Sequence, residues 1–126
     1  MTEFTLRLAN RPGQFARLAK LLDDAGIEIE AFAAVGNDGR SQLRFVVESP
    51  HATRRVLTDA SLEYEEQPVL DTFLPRGSGA LAHMAGELGR AGVNIDSMYL
   101  LHSSAEGFHV AVTVDDADLA HQTLRG

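Results

Sequence analysis

The sequence contains no cysteine. This absence excludes a disulfide framework, a thiolate metal site and a cysteine nucleophile together. No apolar run approaches the roughly 20 residues that a membrane-spanning helix needs. The N-terminus also lacks a basic segment followed by an apolar one, so no signal peptide is expected. We therefore expect a soluble, cytoplasmic protein that has no membrane partner.

The chain also lacks concentrated positive charge. It has 11 Lys and Arg against 18 Asp and Glu, a net charge of −7, and both halves are acidic. Arg54-Arg55 is the sole adjacent basic pair, and such a pair is typical of a solvated helix face. Because nucleic acid binding normally requires a concentrated basic surface, nucleic acid is excluded as a partner.

The dominant positive feature is an internal repeat. Residues 10–30 align with residues 76–96 at a shift of 66 positions without a gap, and 7 of the 21 positions are identical. Such a repeat indicates two copies of one structural unit. The identical pairs are Gly13/Gly79, Ala16/Ala82, Ala19/Ala85, Leu22/Leu88, Ala25/Ala91, Gly26/Gly92 and Ile29/Ile95.

Each copy has the pattern of a helix that follows a strand. Phe15, Leu18, Ala19, Leu22 and Ala25 recur at helical spacing, and the second copy repeats this apolar stripe from Leu81 to Ala91. In each copy the glycine that follows the stripe stands where a helix needs a left-handed residue at its C-terminal end. Pro12 is predicted to occupy the first helical position.

The strands are predicted from alternation of apolar and polar residues. The predicted strands comprise Phe4, Leu6 and Leu8, matched by Val69 and Phe73-Leu74; Ile27 to Val35, matched by Val93 to Leu101; and Leu43, Phe45 and Val47, matched by Val110, Val112 and Val114. Asn37-Asp38-Gly39 predicts a tight hairpin, and Ser103 to Gly107 is its counterpart with one residue inserted. A second helix is predicted near Pro50 and near Asp116.

These elements predict an α+β fold of two tandem βαββαβ ferredoxin-like units, at residues 1–67 and 68–126, with the helices on one face of an antiparallel sheet. Residues 62–66 are predicted as the final strand of the first unit, and the second unit lacks a clear counterpart. The strand at residues 69–74 should therefore have an open edge. Because open edges recruit strands, we expect either the first unit or a second chain to cover this edge, and a homodimer to form.

Asn10-Arg11-Pro12-Gly13, followed by Phe15 and by Ala25-Gly26-Ile27, resembles the ACT domain. ACT domains are small ligand-sensing domains of regulated enzymes in amino-acid metabolism. The run is most similar to the first loop of the phosphoglycerate dehydrogenase regulatory domain. The resemblance covers both copies and is weaker in the second, where Arg76-Gly77-Ser78-Gly79 replaces the loop.

The resemblance implies that domains pair side by side and bind an amino acid at their seam, between the first loop of one domain and the start of the second strand of its neighbour. The expected ligand-binding residues are Asn10, Arg11, Pro12, Gly13, Gln14, Phe15, Asn94 and Ile95. A second seam would combine Glu28 with Arg76, Gly79, Ala80 and Leu81. Since Glu28 and Arg76 carry opposite charges, they are expected to pair with each other and exclude a ligand from that seam.

The chemistry of the first loop agrees with this role. A helix N-terminus has free N–H groups that suit a carboxylate, and Gly13 lets a ligand approach the backbone closely. Asn10 offers both donors and acceptors, which suits the charged groups of an amino acid. The alternative is that this run is merely a helix-capping turn.

Other polar clusters are less informative. His51, His83, His102, His109 and His121 show no metal-binding spacing, although His102 and His109 flank one hairpin. Gly77-Ser78-Gly79 lacks the full nucleophile pattern and is better interpreted as an anion-facing turn. Asp115-Asp116 stands at a helix start, where capping accounts for it.

The sequence therefore predicts a non-catalytic regulatory protein that binds a small amino acid or related metabolite, without a metal or other cofactor. A regulated enzyme or another protein is a further expected partner. Two alternatives stay open: a small enzyme on the same fold, and an interaction or structural module without a ligand. A converging set of catalytic side chains would favour the first alternative, and a buried Asn10 bonded only to its own turn would favour the second.

Overall fold

The computed structural model describes residues 1–77 and 79–125, without the side chain of Asn37. The chain divides into two compact units, Met1–Gln67 (unit 1) and Pro68–Gly126 (unit 2).

Unit 1 contains a four-stranded sheet with the order β2-β3-β1-β4. β1 pairs with β3, and β2 pairs with β3, in antiparallel register. The elements are β1 (Thr2–Ala9), α1 (Gln14–Asp24), β2 (Ile29–Asn37), β3 (Arg40–Val47), α2 (Pro50–Asp59) and β4 (Glu65–Pro68).

In unit 2, the described residues form a three-stranded sheet with the order β5-β7-β6. Both of its pairings are antiparallel, so the predicted α+β fold of two βαββαβ-type units is confirmed. The elements are β5 (Leu70–Pro75), α3 (Ala80–Arg90), β6 (Ile95–Ser103), β7 (Gly107–Val114) and α4 (Ala117–Arg125).

Each unit has its own apolar core on the helix-bearing face of its sheet. Leu18 and Leu22 of α1 and Leu57 of α2 pack against alternate strand residues, as a half-buried strand requires. Met84 and Leu88 of α3 take the same part in unit 2. The cores comprise Phe4, Leu6, Leu18, Leu22, Ile27, Leu43, Phe45, Val47 and Leu57, and Leu70, Leu74, Met84, Leu88, Val93, Val110, Val112, Val114 and Ala120.

The predicted helix ends are confirmed. Gly26 and Gly92 have φ values of 71° and 80° and follow the last turns of α1 and α3. Directly after Gly26, the Ile27 N–H donates to the Leu22 carbonyl at 3.0 Å, and the second copy has the equivalent bond. Each glycine therefore lets the chain satisfy a helix-end carbonyl as it reverses.

The predicted hairpin between β2 and β3 is also confirmed. Asp38 and Gly39 are its two loop residues, and their φ values are 49° and 75°. Positive φ at both positions is the geometry of the two-residue turn that fits the twist of a hairpin.

The first strand of unit 2 was predicted from Val69 and Phe73-Leu74, and it begins one residue after Val69. Leu70 and Leu74 are buried, whereas Phe73 is 39% exposed. The register explains the difference: Leu70 lies opposite Val112 and Thr72 lies opposite Val110, both core residues of β7. Phe73, one position further on, therefore points to the opposite face.

The final strand of unit 1 lies later than the predicted residues 62–66. Ser61 is left-handed with φ 57°, and the chain after it is irregular up to Glu65. Leu62 and Tyr64 nevertheless pack against the core. β4 thus begins only after these two side chains have covered the core.

Two ion pairs hold β4 in place. Glu65 pairs with Arg7, and Glu66 accepts hydrogen bonds from Arg54 Nε at 2.7 Å and Nη2 at 2.6 Å. Hydrogen bonding by this guanidinium, more than its charge alone, lowers the pKa of Glu66 below its ordinary value.

Candidate functional site

The segment between β1 and α1 is a tight turn. The Gln14 N–H donates to the Arg11 carbonyl at 3.3 Å, and Gly13 has φ 88° and ψ −12°. These are the features of a type II turn with proline in the second position and glycine in the third. Pro12 therefore precedes the helix. The prediction that it occupies the first helical position is wrong because the left-handed Gly13 stands between them as N-cap.

The first turn of α1 leaves backbone donors available. No side chain caps the helix. Within the described part of the chain, the N–H groups of Gly13, Phe15 and Ala16 donate to no backbone or side-chain acceptor. Free N–H groups and the helix dipole together favour an anion at this end.

Asn10 is anchored by its backbone, and its side chain remains available. Its N–H donates to the Gly39 carbonyl at 2.8 Å. Its exposed side chain lies over Gly36, where an added Cβ would be 2.8 Å from Nδ2. Among residues 1–77 and 79–125, the carboxamide has no hydrogen-bond partner. Asn10 thus presents a full set of donors and acceptors to solvent.

An apolar groove of about 210 Å³ adjoins this turn. Phe15 lies on the predicted apolar stripe and is 47% exposed at the rim of the groove. The buried part of α1 is limited to Leu18 and Leu22, because Phe15 stands in the first turn, beyond the core. The groove is lined by Phe15, Leu18, Ala19, Leu22, Ile29, Phe32, Leu43 and Phe45.

The equivalent turn of unit 2 begins with a positively charged side chain, that of Arg76. The Arg76 guanidinium donates to the Ser104 carbonyl at 2.8 Å and 3.2 Å and to Ser103 Oγ at 3.1 Å. It also lies 4.5 Å from the centroid of the Phe108 ring, which suits a cation–π contact. Arg76 is therefore fixed against its own hairpin, in the place where unit 1 has Asn10.

The two turns are related in detail. The Arg76 N–H donates to the Glu106 carbonyl at 2.9 Å, as Asn10 does to Gly39, and Gly79 is left-handed with φ 67°. A groove of about 460 Å³ lies beside it, with Leu81 54% exposed. The predicted anion-facing turn includes Ser78, which lies outside the described residues.

Glu28 and Asn94 occupy matching positions, each just before a strand rather than within it. The Asn94 N–H donates to Asp115 Oδ1 at 2.9 Å, and its Nδ2 donates to Asp96 Oδ1 at 3.2 Å. Its side-chain oxygen accepts no hydrogen bond within the described residues. Glu28 is exposed.

The structure thus keeps the first-loop residues together in unit 1 and places Asn94 and Ile95 in unit 2. The assembly of Asn10 with Asn94 in one site stays a prediction, as does the pairing of Arg76 with Glu28.

The histidines do not form a metal centre in the described part of the chain. His102 and His109 are direct partners across β6 and β7, so their predicted proximity is confirmed. His109 also contacts the Phe73 ring and lies 4.0 Å from Asp71. Across residues 1–77 and 79–125, no group of three His, Cys, Asp or Glu side chains could hold a metal ion. No helix among these residues is long and apolar enough to cross a membrane.

The sequence did not predict three residues of the candidate site, Gly36, Ser104 and Phe108. Gly36 is an isolated glycine in a strand, a pattern that signals a close approach, and it makes room for Asn10. Ser104 and Phe108, which hold Arg76, carried no such signal because their contacts depend on the hairpin fold.

No protein-family model and no curated protein sequence matches this chain. Solved structures do match. Protein BT0572 of Bacteroides thetaiotaomicron has a TM-score of 0.86 at 23% identity, over 98% of this chain and 85% of that one. The ligand-free regulatory subunit of aspartate kinase from Thermus thermophilus has a TM-score of 0.72 at 19% identity, over 98% and 87%.

The regulatory subunit of aspartate kinase from Thermus flavus gives a TM-score of 0.66 at 20% identity, over 98% of this chain and 88% of that one. Because these matches span nearly the whole chain, the likeness includes both units. The chain has the tandem ACT-like fold that its sequence resembles.

Proposed function

We propose that this chain is a non-catalytic regulatory protein that binds a small amino acid or a related metabolite. In this proposal the ligand lies at a seam between ACT-like units and is held by the Asn10–Phe15 loop and by Asn94. The regulatory role of the two aspartate kinase subunits that share the fold supports this proposal. An enzyme or another protein would be the regulated partner.

The proposal rests mainly on the exposed and unbonded side chain of Asn10. A capping residue would bond its own turn, yet the Asn10 carboxamide is exposed and has no hydrogen-bond partner among the described residues. Its backbone is nevertheless fixed to the Gly39 carbonyl. A polar side chain that is positioned but not used by the fold supports a ligand-binding role over a capping role.

In the proposed site, the Asn10–Phe15 loop, the groove beside it and Asn94 would match the three parts of an amino acid. The free N–H groups of Phe15 and Ala16 would receive the carboxylate. The side-chain oxygens of Asn10 and Asn94 would accept hydrogen bonds from the ammonium group. The apolar groove beside Phe15 would receive an aliphatic side chain of modest size, since its volume is about 210 Å³.

The asymmetry of the repeat supports one good site per chain. Asn94 keeps an oxygen available, whereas the matching Glu28 would place a second negative charge near a bound carboxylate. In the second loop Arg76 already bonds Ser103 and Ser104 and stands where Asn10 stands in the first. We therefore propose binding at the Asn10 seam alone, within a homodimer.

A second candidate function is an interaction module without a ligand. The exposed apolar side chains of β2 favour it, since Phe32 is 65% and Val35 61% exposed. Because β2 is an edge strand of its sheet, apolar side chains exposed along it are typical of a place where another chain can add. This candidate predicts association without any response to amino acids.

A thermal-shift screen of the free amino acids at millimolar concentration separates the two candidates. A ligand present at about 100 times its dissociation constant adds about 2.7 kcal/mol to the stability of the native state. We expect one amino acid, or a few chemically related ones, to raise the midpoint temperature of thermal unfolding. A flat response to every amino acid, together with retained self-association, would select the interaction module.

A further inference from the structure

The groove beside Phe15 has an apolar lining and a rigid floor. All eight residues that line it are apolar. Leu18, Leu43 and Phe45 belong to the core of unit 1 and are at most 5% exposed, so core packing fixes the floor. A ligand side chain that enters this groove therefore meets a preformed surface that offers it no hydrogen-bonding side chain.

The matching groove of unit 2 indicates what limits the size of this one. Both grooves are lined at three matching positions, Phe15/Leu81, Phe32/Met98 and Leu43/Val110. At each position unit 2 has the smaller side chain. The groove of unit 2 has a volume of about 460 Å³ and also reaches the second turn, whereas that of unit 1 has about 210 Å³. The bulk of Phe15, Phe32 and Leu43 thus helps to keep the groove of unit 1 small.

The groove of unit 1 is long and narrow. Its lining on α1 runs from Phe15 to Leu22, which is two helical turns or roughly 10 Å. A volume of about 210 Å³ spread over that length suits an aliphatic chain better than a flat ring. Ala19 lies one turn beyond Phe15, on the same face of the helix, and it has the smallest side chain in the lining.

The lining also discriminates against other classes of side chain. A hydroxyl, amide or charged group would lose its hydrogen bonds to water without gaining a partner in the groove. A methyl group would leave most of the groove unfilled and would forgo the contacts that the floor offers. A large aliphatic side chain avoids both losses.

We propose that the amino acid bound at the Asn10 turn has a large aliphatic side chain, as leucine, isoleucine and methionine do, and that Ala19 sets how far this side chain enters the groove. The inference rests on the proposed function and narrows it to one class of ligand. A ligand whose carboxylate meets the Phe15 N–H would extend its side chain along α1 and reach Ala19.

Ala19→Leu tests the proposal. Leucine favours a helix nearly as well as alanine does, and at this half-buried position it would fill the groove one turn beyond Phe15. We expect the affinity for free leucine to fall by about tenfold to two hundredfold, the range for a mismatch of about one methylene in an apolar pocket. The affinity for free alanine should not change, because its methyl group ends before this point. Calorimetric titration with each amino acid measures both effects.

Ala85→Leu is the matched control. Ala85 occupies the position of Ala19 in the second copy of the repeat and is exposed. The same substitution there should leave the affinity for leucine unchanged. Equal losses in the two variants would overturn the role of Ala19.

Phe32→Met tests the size of the groove in the opposite direction. It gives unit 1 the residue that unit 2 has, and the fold should tolerate it because Phe32 is 65% exposed. The wider groove should raise the affinity for free phenylalanine relative to that for leucine by about tenfold. An unchanged ratio of the two affinities would overturn the argument from size.

A panel of free amino acids titrated into the wild type separates this inference from the proposed function. Leucine, isoleucine or methionine should bind most tightly, and threonine should bind about a hundredfold more weakly than valine, which has the same shape without the hydroxyl. A polar or charged amino acid that binds most tightly would overturn this inference and leave the proposed function standing. If no amino acid binds the folded wild type, the proposed function fails and this inference fails with it.

Discussion

The Nδ2 atom of Asn10 lies 2.8 Å from the position that a Cβ on Gly36 would occupy. The absent side chain at Gly36 is what allows the Asn10 carboxamide to rest there. No hydrogen bond within the described residues fixes that carboxamide, so its present position depends on the space that Gly36 leaves free.

Gly36→Ala should therefore weaken ligand binding without weakening the fold. The new methyl group displaces the flexible end of the Asn10 side chain, a movement that costs the folded state little. Losing one well-placed hydrogen bond to a charged ligand group should weaken binding by about tenfold or more. Calorimetric titration with the amino acid found in the thermal-shift screen measures the change.

The double variant provides the control. If Gly36 acts through Asn10, adding Gly36→Ala to Asn10→Ala should cause no further loss of affinity. Additive losses would contradict the positioning role of Gly36.

Gly107→Ala should destabilise unit 2. Gly107 has φ 155°, and a Cβ there would lie 2.9 Å from both Phe73 Cζ and Pro75 Cα and closer still to the Leu74 carbonyl oxygen. The methyl group would force β5 and β7 apart, so we expect a loss of at least about 2 kcal/mol in unfolding free energy.

Gly89→Ala is the comparison for that variant. It lies within α3, and an added Cβ meets nothing within 4 Å. Alanine at such a helical site should stabilise the protein by up to about 1 kcal/mol. Urea unfolding of both variants measures the change in unfolding free energy, which should be a loss for Gly107→Ala and a gain for Gly89→Ala. An unchanged unfolding free energy for Gly107→Ala would contradict the expected clash between β5 and β7.

The Arg54–Glu66 pair predicts a specific pH dependence. The pKa of Glu66 in the folded chain lies below the ordinary value of about 4.5 because Arg54 donates hydrogen bonds to the ionised form. The pair therefore contributes its full stabilisation at pH values above that ordinary value, and the contribution is lost as the pH falls through the lowered pKa.

Unfolding of the wild type and of Glu66→Gln from pH 7 down to pH 3 tests this dependence. The wild type should be the more stable at pH 7, and the difference should shrink as the medium becomes acidic. A difference that is constant down to pH 3, or that grows, would show that Glu66 does not interact with Arg54 in this way.

The sequence predicted the features that depend on local chemistry. The glycine ends of α1 and α3, the Asp38-Gly39 turn and the α+β architecture follow from backbone preferences and apolar periodicity, which each segment carries by itself. The internal repeat strengthened these predictions because each copy served as a check on the other.

The predictions from the sequence were least accurate where contacts between distant segments, or the exact turn geometry, determine the position of a residue. The phase of β5 follows from its register with β7, which Val69 and Phe73 do not reveal. Pro12 was predicted as the first helical residue, but Pro12 and Gly13 form a type II turn that precedes α1. Phe15 has helical spacing relative to Leu18 but lies beyond the edge of the core, where periodicity alone cannot distinguish a buried residue from a rim residue.

The candidate site was predictable from the sequence only in its first half, the Asn10–Phe15 loop. The Asn10–Phe15 loop is contiguous in sequence, and its residue types indicate an anion-binding turn. Gly36 makes room for Asn10, and Arg76 contacts Ser104 and Phe108. Both relationships join segments that are distant along the chain, so no local sequence pattern predicts them.

Calorimetric titration of three single variants tests the central claim most directly. With the amino acid from the screen, the wild type should bind one ligand per chain. Asn10→Ala and Asn94→Ala should each weaken that binding by roughly tenfold to a hundredfold, since a hydrogen bond to a charged group contributes about 1.5–3 kcal/mol. Glu28→Ala should bind as the wild type does. Two equivalent ligands per chain, or a Glu28→Ala variant as impaired as Asn94→Ala, would contradict the account.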